Sequence, residues 1–221
     1  MRQMIPFGYC VGVDHIDYDF KHLRKETDFT LNNQQAARQA PAKQVMDHEM
    51  MSGEDFSNKY LRILEKHPRL RDLIEARFNM FMYRIHNFDY KFKITTSWIV
   101  KLYDGDVIQP HNHNNCYYSG ILYYGKDYPK NSAELMLRNP IEDTMRNVFP
   151  KVEDNFNVMK NDFPVVPSTG ALYFWPSQIL HYSAPHEGEP RYSCPFNLVP
   201  TAAVFAGDSS QNYKWITNQN L

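Results

Sequence analysis

Residues 97–124, SWIVKLYDGDVIQPHNHNNCYYSGILYY, contain two β-rich runs joined by a segment of turn residues that carries a His-x-His pair. On a strand, residues i and i+2 point to the same face, so the imidazoles of His111 and His113 can converge on one metal ion. The pair alone is a weak indication, because two surface histidines on a loop would have the same spacing.

Short β-rich runs separated by turn residues continue through the C-terminal half of the chain. They read KITTSWIVKLY, CYYSGILYY, AELMLR, FPVV, ALYFW, ILHYSA and RYSCPFNLV. Runs at this spacing predict a β-sandwich or barrel and not a parallel α/β sheet. Trp98 and Trp175 fall within these runs and are interpreted as core residues.

The N-terminal part predicts helices that pack on this β structure. The clearest helix begins at Pro68, because apolar side chains from Leu70 onward recur at helical spacing on one face. A second helix is predicted over residues 54–66 and a short strand near Ile5–Val13. The polar segment 32–44 is predicted to be a mobile surface loop. The predicted fold class is therefore mainly β with helices (α+β).

Composition excludes several classes of protein. The 24 Lys and Arg against 25 Asp and Glu give a net charge of −1, which argues against a nucleic-acid binder. No apolar run approaches the roughly 20 residues of a membrane helix. The first residues lack the apolar stretch of a signal peptide, so we expect a cytoplasmic protein. The 3 Cys residues form no CxxC pair, so neither a disulfide framework nor a zinc finger is predicted.

A second group of polar residues follows the apolar run at 171–175. His181 alone would be interpreted as a core or surface residue. Ten residues later, however, Arg191 and Ser193 share one face of a β run, and a buried Arg is costly unless an anion meets it. The guanidinium fork fits a carboxylate through two hydrogen bonds, and a Ser hydroxyl adds a donor. The pattern predicts a metal ion and a ligand with two acidic ends.

The order His-x-His, distal His, Arg-x-Ser resembles the 2-oxoglutarate/Fe(II)-dependent oxygenase superfamily. The greatest similarity is to its prolyl-hydroxylase-like branch, especially small microbial and phage oxygenases with His-x-His in the first motif. Besides 97–124, the stretch GALYFWPSQILHYSAPHEGEPRYSCPFN at 170–197 resembles the distal-His and Arg strands. The resemblance covers residues 93–200 and implies a double-stranded β-helix (jelly-roll) barrel.

The resemblance also implies a ligand set. The implied iron ligands are His111, His113 and His181. Position 113 departs from the superfamily, which usually has a carboxylate there, and Glu134 is a candidate for the missing carboxylate. Arg191 would bind the C5 carboxylate of 2-oxoglutarate, assisted by Ser193 and by Tyr124 of the ILYYG run. The implied cofactors are Fe(II), the cosubstrate 2-oxoglutarate and O2.

The implied activity is hydroxylation of an unactivated C–H bond, coupled to decarboxylation of 2-oxoglutarate to succinate. The substrate would be a peptide or a small molecule, in the cytoplasm or in a host cytoplasm if a phage carries the gene. We expect one domain over 1–221, with helical support in 1–92, the jelly-roll catalytic core in 93–200 and a tail in 201–221. The sequence does not indicate the oligomeric state.

Two alternatives stay open. A three-His cupin, acting as a dioxygenase or isomerase without 2-oxoglutarate, fits the His-x-His pair and His181, although Tyr118 stands where cupins have Glu. Arg191 and Ser193 favour the oxygenase, because a cupin does not need them. A non-catalytic jelly-roll binding module also fits, since fold does not determine function.

The segments 32–44 and 139–163 are predicted to cover a substrate.

Overall fold

The computed structural model describes residues 10–38, 62–86, 91–114, 116–126, 128, 132–140 and 162–201. The helical elements are Lys21–Arg38 (α1), a 3-10 turn at Ile63–Lys66, and Pro68–His86 (α2). The strands are Gly12–His15 (β1), Phe92–Ser97 (β2), Val100–Leu102 (β3), Tyr118–Tyr123 (β4), Leu135–Arg138 (β5), Asp162–Val165 (β6), Ala171–Pro176 (β7), His181–Ser183 (β8) and Arg191–Pro200 (β9). The described part is thus mostly β-sheet with few helices, as predicted.

The strands form two antiparallel sheets. The larger sheet has the order β1-β7-β4-β9-β2, and β3 also pairs with β9; the smaller has the order β6-β5-β8. One buried apolar cluster joins Ile121 and Trp175 of the larger sheet to Leu135, Leu137 and Val165 of the smaller. The two sheets therefore pack face to face, with this cluster between them.

A second apolar cluster covers the opposite face of the larger sheet. It joins Ile74 and Phe78 of α2 to Leu122, Phe174 and Phe196 of the sheet. β4 is consequently buried on both faces, so that five of its six residues are buried. Alternate residues of β4 face different partners: one set faces the smaller sheet and the other faces the helices.

The helix at Pro68 is confirmed. Its buried residues include Leu70, Ile74, Phe78 and Met82, which recur every four residues along one face. The ring of Phe78 lies 5.0 Å from that of Phe174. Burying a side chain of this kind contributes roughly 1.5–3 kcal/mol, so this face holds α2 on the sheet.

All seven predicted β runs contain a strand, but parts of the N-terminal predictions are wrong. Residues 32–38 continue α1 instead of forming a loop, because the Gln and Ala residues there are good helix formers. Of the described residues of the strand predicted near Ile5–Val13, residues 10 and 11 lie outside a strand, whereas 12 and 13 belong to β1, which pairs with β7 as far as His15.

The remaining parts of these predictions lie outside the described residues: 5–9, 39–44, 54–61 and 141–161. The three-part division of the domain stays a prediction. In the described part of the chain, no helix has the length and apolar character needed to cross a membrane.

Candidate active site

Three imidazoles meet where β8 begins. One ligand nitrogen from each of His111, His113 and His181 lies within 4.8 Å of the other two. The ring centroids of His111 and His181 are 4.2 Å apart, and that of His113 lies 5.3 and 5.1 Å from them. Nitrogen atoms this close can share one metal ion.

Backbone hydrogen bonds position these histidines. His111 N donates to His181 O at 3.0 Å, and His181 N donates to His111 O at 2.8 Å, so the two residues form one antiparallel bridge. His113 N donates to Ser177 O at 2.9 Å in the turn between β7 and β8. The backbone therefore brings the His-x-His pair and the distal His together.

Hydrogen bonds to carbonyl groups select the tautomers of two rings. His111 Nδ1 lies 2.7 Å from Gln109 O, and His181 Nδ1 lies 3.0 Å from Ile179 O. A carbonyl oxygen only accepts, so Nδ1 carries the proton and the lone pair of each neutral ring is on Nε2. Metal-ligating histidines typically make such an outer hydrogen bond, which orients the ring.

His181 is neutral at ordinary pH. Burial lowers its pKa from 6.5 to about 3, and the neighbouring His111 and His113 add to this decrease. The indole of Trp175 lies edge-on to the His181 ring at 5.4 Å, and the indole of Trp98 stacks on His113 at 5.6 Å. Neutral imidazole is the form that binds metals, so the surroundings prepare His181 for ligation.

Arg191 is fully buried at the start of β9, with 0% of its surface exposed. Its Nη1 donates to Ala133 O, and its guanidinium carbon lies 5.6 Å from the ring centroid of Tyr123. Its Nε and Nη2 are buried and have no hydrogen-bond partner in the part of the chain that the structure describes. Unpaired buried donors on a cation are costly, so this arrangement is suited to an anionic ligand.

Two more buried hydroxyls adjoin Arg191. Ser193 Oγ and Tyr123 Oη also lack a partner among the described residues. Ser193 lies two residues after Arg191 on the same strand, and it pairs directly with Tyr123 of β4. Burial raises the pKa of Tyr123 to about 12, so its phenol keeps a proton to donate. We call Arg191, Ser193 and Tyr123 the anion cluster.

The structure does not bring Tyr124 to this cluster. Its hydroxyl lies 2.8 Å from Thr27 Oγ1, and its ring packs in the core between the larger sheet and the helices. The reason is strand alternation, since residues 123 and 124 point to opposite faces of the larger sheet. Sequence reasoning selected Tyr124 and expected Tyr123 to face the other side. The pairing of Tyr123 with Ser193 places Tyr123 on the face of Arg191, but that register is not visible in the sequence.

One cavity of about 30 Å³ extends from the histidines to Ser193, the member of the anion cluster that lines it. His111, His113, His181 and Ser193 line it. Much of the remaining wall is apolar, with Val100, Ile108, Ile121, Leu135 and Pro195 among the lining residues. The histidine group contains no carboxylate from the described residues; Glu134 instead acts electrostatically on Tyr123 and Tyr173.

A family model described as "Putative 2OG-Fe(II) oxygenase" matches residues 96–197. This range includes the three histidines, Arg191, Ser193 and Tyr123. The match covers the segment that carries the predicted motifs, so the predicted resemblance to the 2-oxoglutarate/Fe(II)-dependent oxygenase superfamily is confirmed. No curated protein sequence matches the chain.

Several solved structures are similar to the chain. An oxidoreductase of the 2OG-Fe(II) oxygenase family from Burkholderia pseudomallei is 12% identical, with 63% of this chain and 60% of that one covered and a TM-score of 0.47. HygX from Streptomyces hygroscopicus, with nickel and 2-oxoglutarate bound, is 9% identical over 86% and 82%, with a TM-score of 0.49. A prolyl-4-hydroxylase from Pseudomonas putida is 14% identical over 56% and 61%, with a TM-score of 0.37. The chain spans about three fifths of the length of the first and third.

Proposed function

We propose that this protein is a non-haem Fe(II)/2-oxoglutarate-dependent dioxygenase. It would hydroxylate an unactivated C–H bond of a peptide or small molecule while 2-oxoglutarate is decarboxylated to succinate. The two packed sheets would be the double-stranded β-helix of the superfamily. The observation that carries the proposal is the combination of three converging imidazoles with the buried, incompletely paired guanidinium of Arg191.

The donor set fits a first-row metal. Imidazole nitrogens suit Fe as well as Zn, Cu and Ni, and three protein ligands leave positions for other molecules. We assign His111, His113 and His181 as the ligands. When bound, Fe(II) supplies the activation of O2. With a neutral ring at position 113 instead of a carboxylate, the centre is one charge more positive than usual and attracts an anionic chelator more strongly.

The anion cluster fits the far end of 2-oxoglutarate. Arg191 offers Nε and Nη2, which lie on one edge of the guanidinium and can meet both oxygens of a carboxylate. Ser193 and Tyr123 each offer one hydroxyl. We assign Tyr123, instead of Tyr124, as the tyrosine donor. Because these three residues are fully buried, charged hydrogen bonds from them are stronger than they would be in water.

The second candidate is a three-His cupin-type metalloprotein, favoured by the absence of a carboxylate from the histidine group among the described residues. Such a protein binds its metal without 2-oxoglutarate. It would leave the unpaired donors of Arg191, Ser193 and Tyr123 without a role. The oxygenase explains both groups of residues, so we prefer it.

The test is 2-oxoglutarate binding with Fe(II) under anaerobic conditions. We expect metal-dependent binding that Arg191→Ala weakens by about 3–5 kcal/mol, or two to four powers of ten, while Fe(II) affinity persists. Arg191→Lys should recover part of the loss, because an ammonium cannot form the fork. Arg138→Ala is the control, because Arg138 pairs with Asp162 on the smaller sheet.

A wild-type protein that binds Fe(II) but not 2-oxoglutarate would favour the cupin. Equal 2-oxoglutarate affinity in wild type, Arg191→Ala and Arg191→Lys would show that the anion cluster is misassigned. Succinate formation in the presence of peptides and small molecules would then identify the substrate class.

A further inference from the structure

The indole N–H of Trp175 is a buried donor that the site described above does not use. Trp175 is 2% exposed, and its Nε1 has no hydrogen-bond partner in the described part of the chain. The side chain lines the cavity, and its ring lies 5.4 Å from that of His181. A buried indole usually finds an acceptor, and an unsatisfied donor costs about 1–3 kcal/mol.

Neighbouring polar side chains on β7 and β4 have hydrogen-bond partners within the protein. Tyr173, two residues earlier on the same face of β7, donates its hydroxyl to Val166 O at 3.1 Å. Ser119, which pairs with Trp175 in β4, donates to Asn197 Oδ1 at 2.9 Å and lies 3.0 Å from Ser177 Oγ. These polar groups are satisfied by the protein itself, whereas the Trp175 indole is not.

The position of Trp175 along β7 indicates which part of a ligand it meets. Tyr173 lies toward the anion cluster, because its ring centroid is 6.4 Å from that of Tyr123. Trp175 lies toward the histidines. A ligand that bridges the two groups would therefore present its metal-binding end, and not its far carboxylate, to the Trp175 indole.

We propose that Trp175 is a binding residue whose indole N–H donates a hydrogen bond to an oxygen of the 2-oxo acid group at the histidines. This inference rests on the proposed function. The 2-oxo acid group supplies carboxylate and keto oxygens, both of which accept. A hydrogen bond from a buried donor to a charged acceptor is worth more than one between neutral groups.

The first test observes the indole directly. Protein labelled with ¹⁵N on its 3 Trp indoles is loaded with Zn(II), which prevents turnover, and titrated with 2-oxoglutarate. Loss of one resonance in Trp175→Phe assigns it. We expect that resonance to move downfield with 2-oxoglutarate and to move much less with glutarate, which lacks the keto group. If 2-oxoglutarate binds and the Trp175 resonance does not move, the inference is wrong.

The second test removes the donor without changing the ring size. Replacing Trp175 by 3-benzothienylalanine exchanges the N–H for sulfur. We expect the Kd for 2-oxoglutarate on the Zn(II) protein to rise about ten- to a hundredfold, with Zn(II) affinity unchanged. Tyr173→Phe is the matched control and should leave this Kd unchanged, since its hydroxyl is already paired.

Equal 2-oxoglutarate affinity in the isostere and wild type would overturn the inference while leaving the proposed function intact. A wild-type protein that binds Zn(II) but no 2-oxoglutarate would overturn the proposed function, and this inference with it.

Discussion

Tyr123 of β4 lies directly opposite Ser193 of β9, and the buried hydroxyls of both residues lack a partner among the described residues. Cross-strand partners share a sheet face, so both hydroxyls lie on the face that also bears Arg191. Tyr124 is on the other face and is hydrogen-bonded to Thr27. One residue of register therefore separates the hydroxyl that shares a face with Arg191 from one that is paired in the core.

Replacing each of the two tyrosines by phenylalanine should separate an effect on 2-oxoglutarate binding from an effect on the free energy of unfolding. Tyr123→Phe should raise the Kd for 2-oxoglutarate roughly tenfold to a hundredfold, because a hydrogen bond to a charged group contributes about 1.5–3 kcal/mol. Tyr124→Phe should leave this Kd unchanged and lower the free energy of unfolding by about 0.5–1.5 kcal/mol, the contribution of one buried hydrogen bond. Calorimetric titration of the Zn(II) proteins and urea unfolding measure the two effects. The opposite pattern would restore Tyr124 as the site residue.

In the ligand-free protein, Arg191 should lower the free energy of unfolding. Its Nε and Nη2 are buried and have no partner among the described residues, and replacing even a paired buried charge with apolar side chains is often neutral or stabilising by about 1–4 kcal/mol. Metal-free Arg191→Met should therefore unfold at the same or a higher urea concentration than wild type. Zn(II) alone should stabilise both proteins, and the further addition of 2-oxoglutarate should add stability only to wild type, through binding to the native state.

A loss of several kcal/mol in metal-free Arg191→Met would show that Arg191 holds the fold together. Its hydrogen bond to Ala133 O and its contact with Tyr123 would then outweigh its unpaired donors.

His113 should be a direct metal ligand. His113→Ala should weaken metal binding, whereas His113→Asp should keep it, because aspartate restores the usual two-His, one-carboxylate set. Zn(II) competition titrations measure both affinities. A metal-bound structure should place a His113 ring nitrogen about 2.0–2.2 Å from the ion. Unchanged metal affinity in His113→Ala would make His113 an outer residue that Trp98 holds in place.

His181 should make the metal-free protein sensitive to acid. Its pKa falls from 6.5 to about 3 on folding, so below pH 6.5 the unfolded chain binds a proton that the native protein does not. This contribution to stability is complete above pH 6.5 and is lost as the pH falls toward 3, by up to about 1.4 kcal/mol for each pH unit. Urea unfolding at a series of pH values measures the slope.

His181→Asn, which does not titrate, should show a shallower decline over the same pH range. Parallel declines in the two proteins would assign the acid sensitivity to other groups.

Local patterns determined a large part of this protein. The β runs and the helix from Pro68 depend on spacings of two and of about four residues, which the sequence displays directly. The same parity places Arg191 and Ser193 on one face. The extension of α1 through residues 32–38 was missed because polar composition outweighed helix propensity in the prediction.

Only the tertiary structure decided which distant residues meet. The bridge between His111 and His181, the pairing of Tyr123 with Ser193 and the position of the Trp175 indole beside His181 all depend on how separate strands align. Such alignment is set by long-range packing of two sheets and the helices, and a shift of one residue would exchange every inward and outward side chain. The sequence by itself therefore determined the types of residue at the site, and the pairing of strands decided which of them reach it.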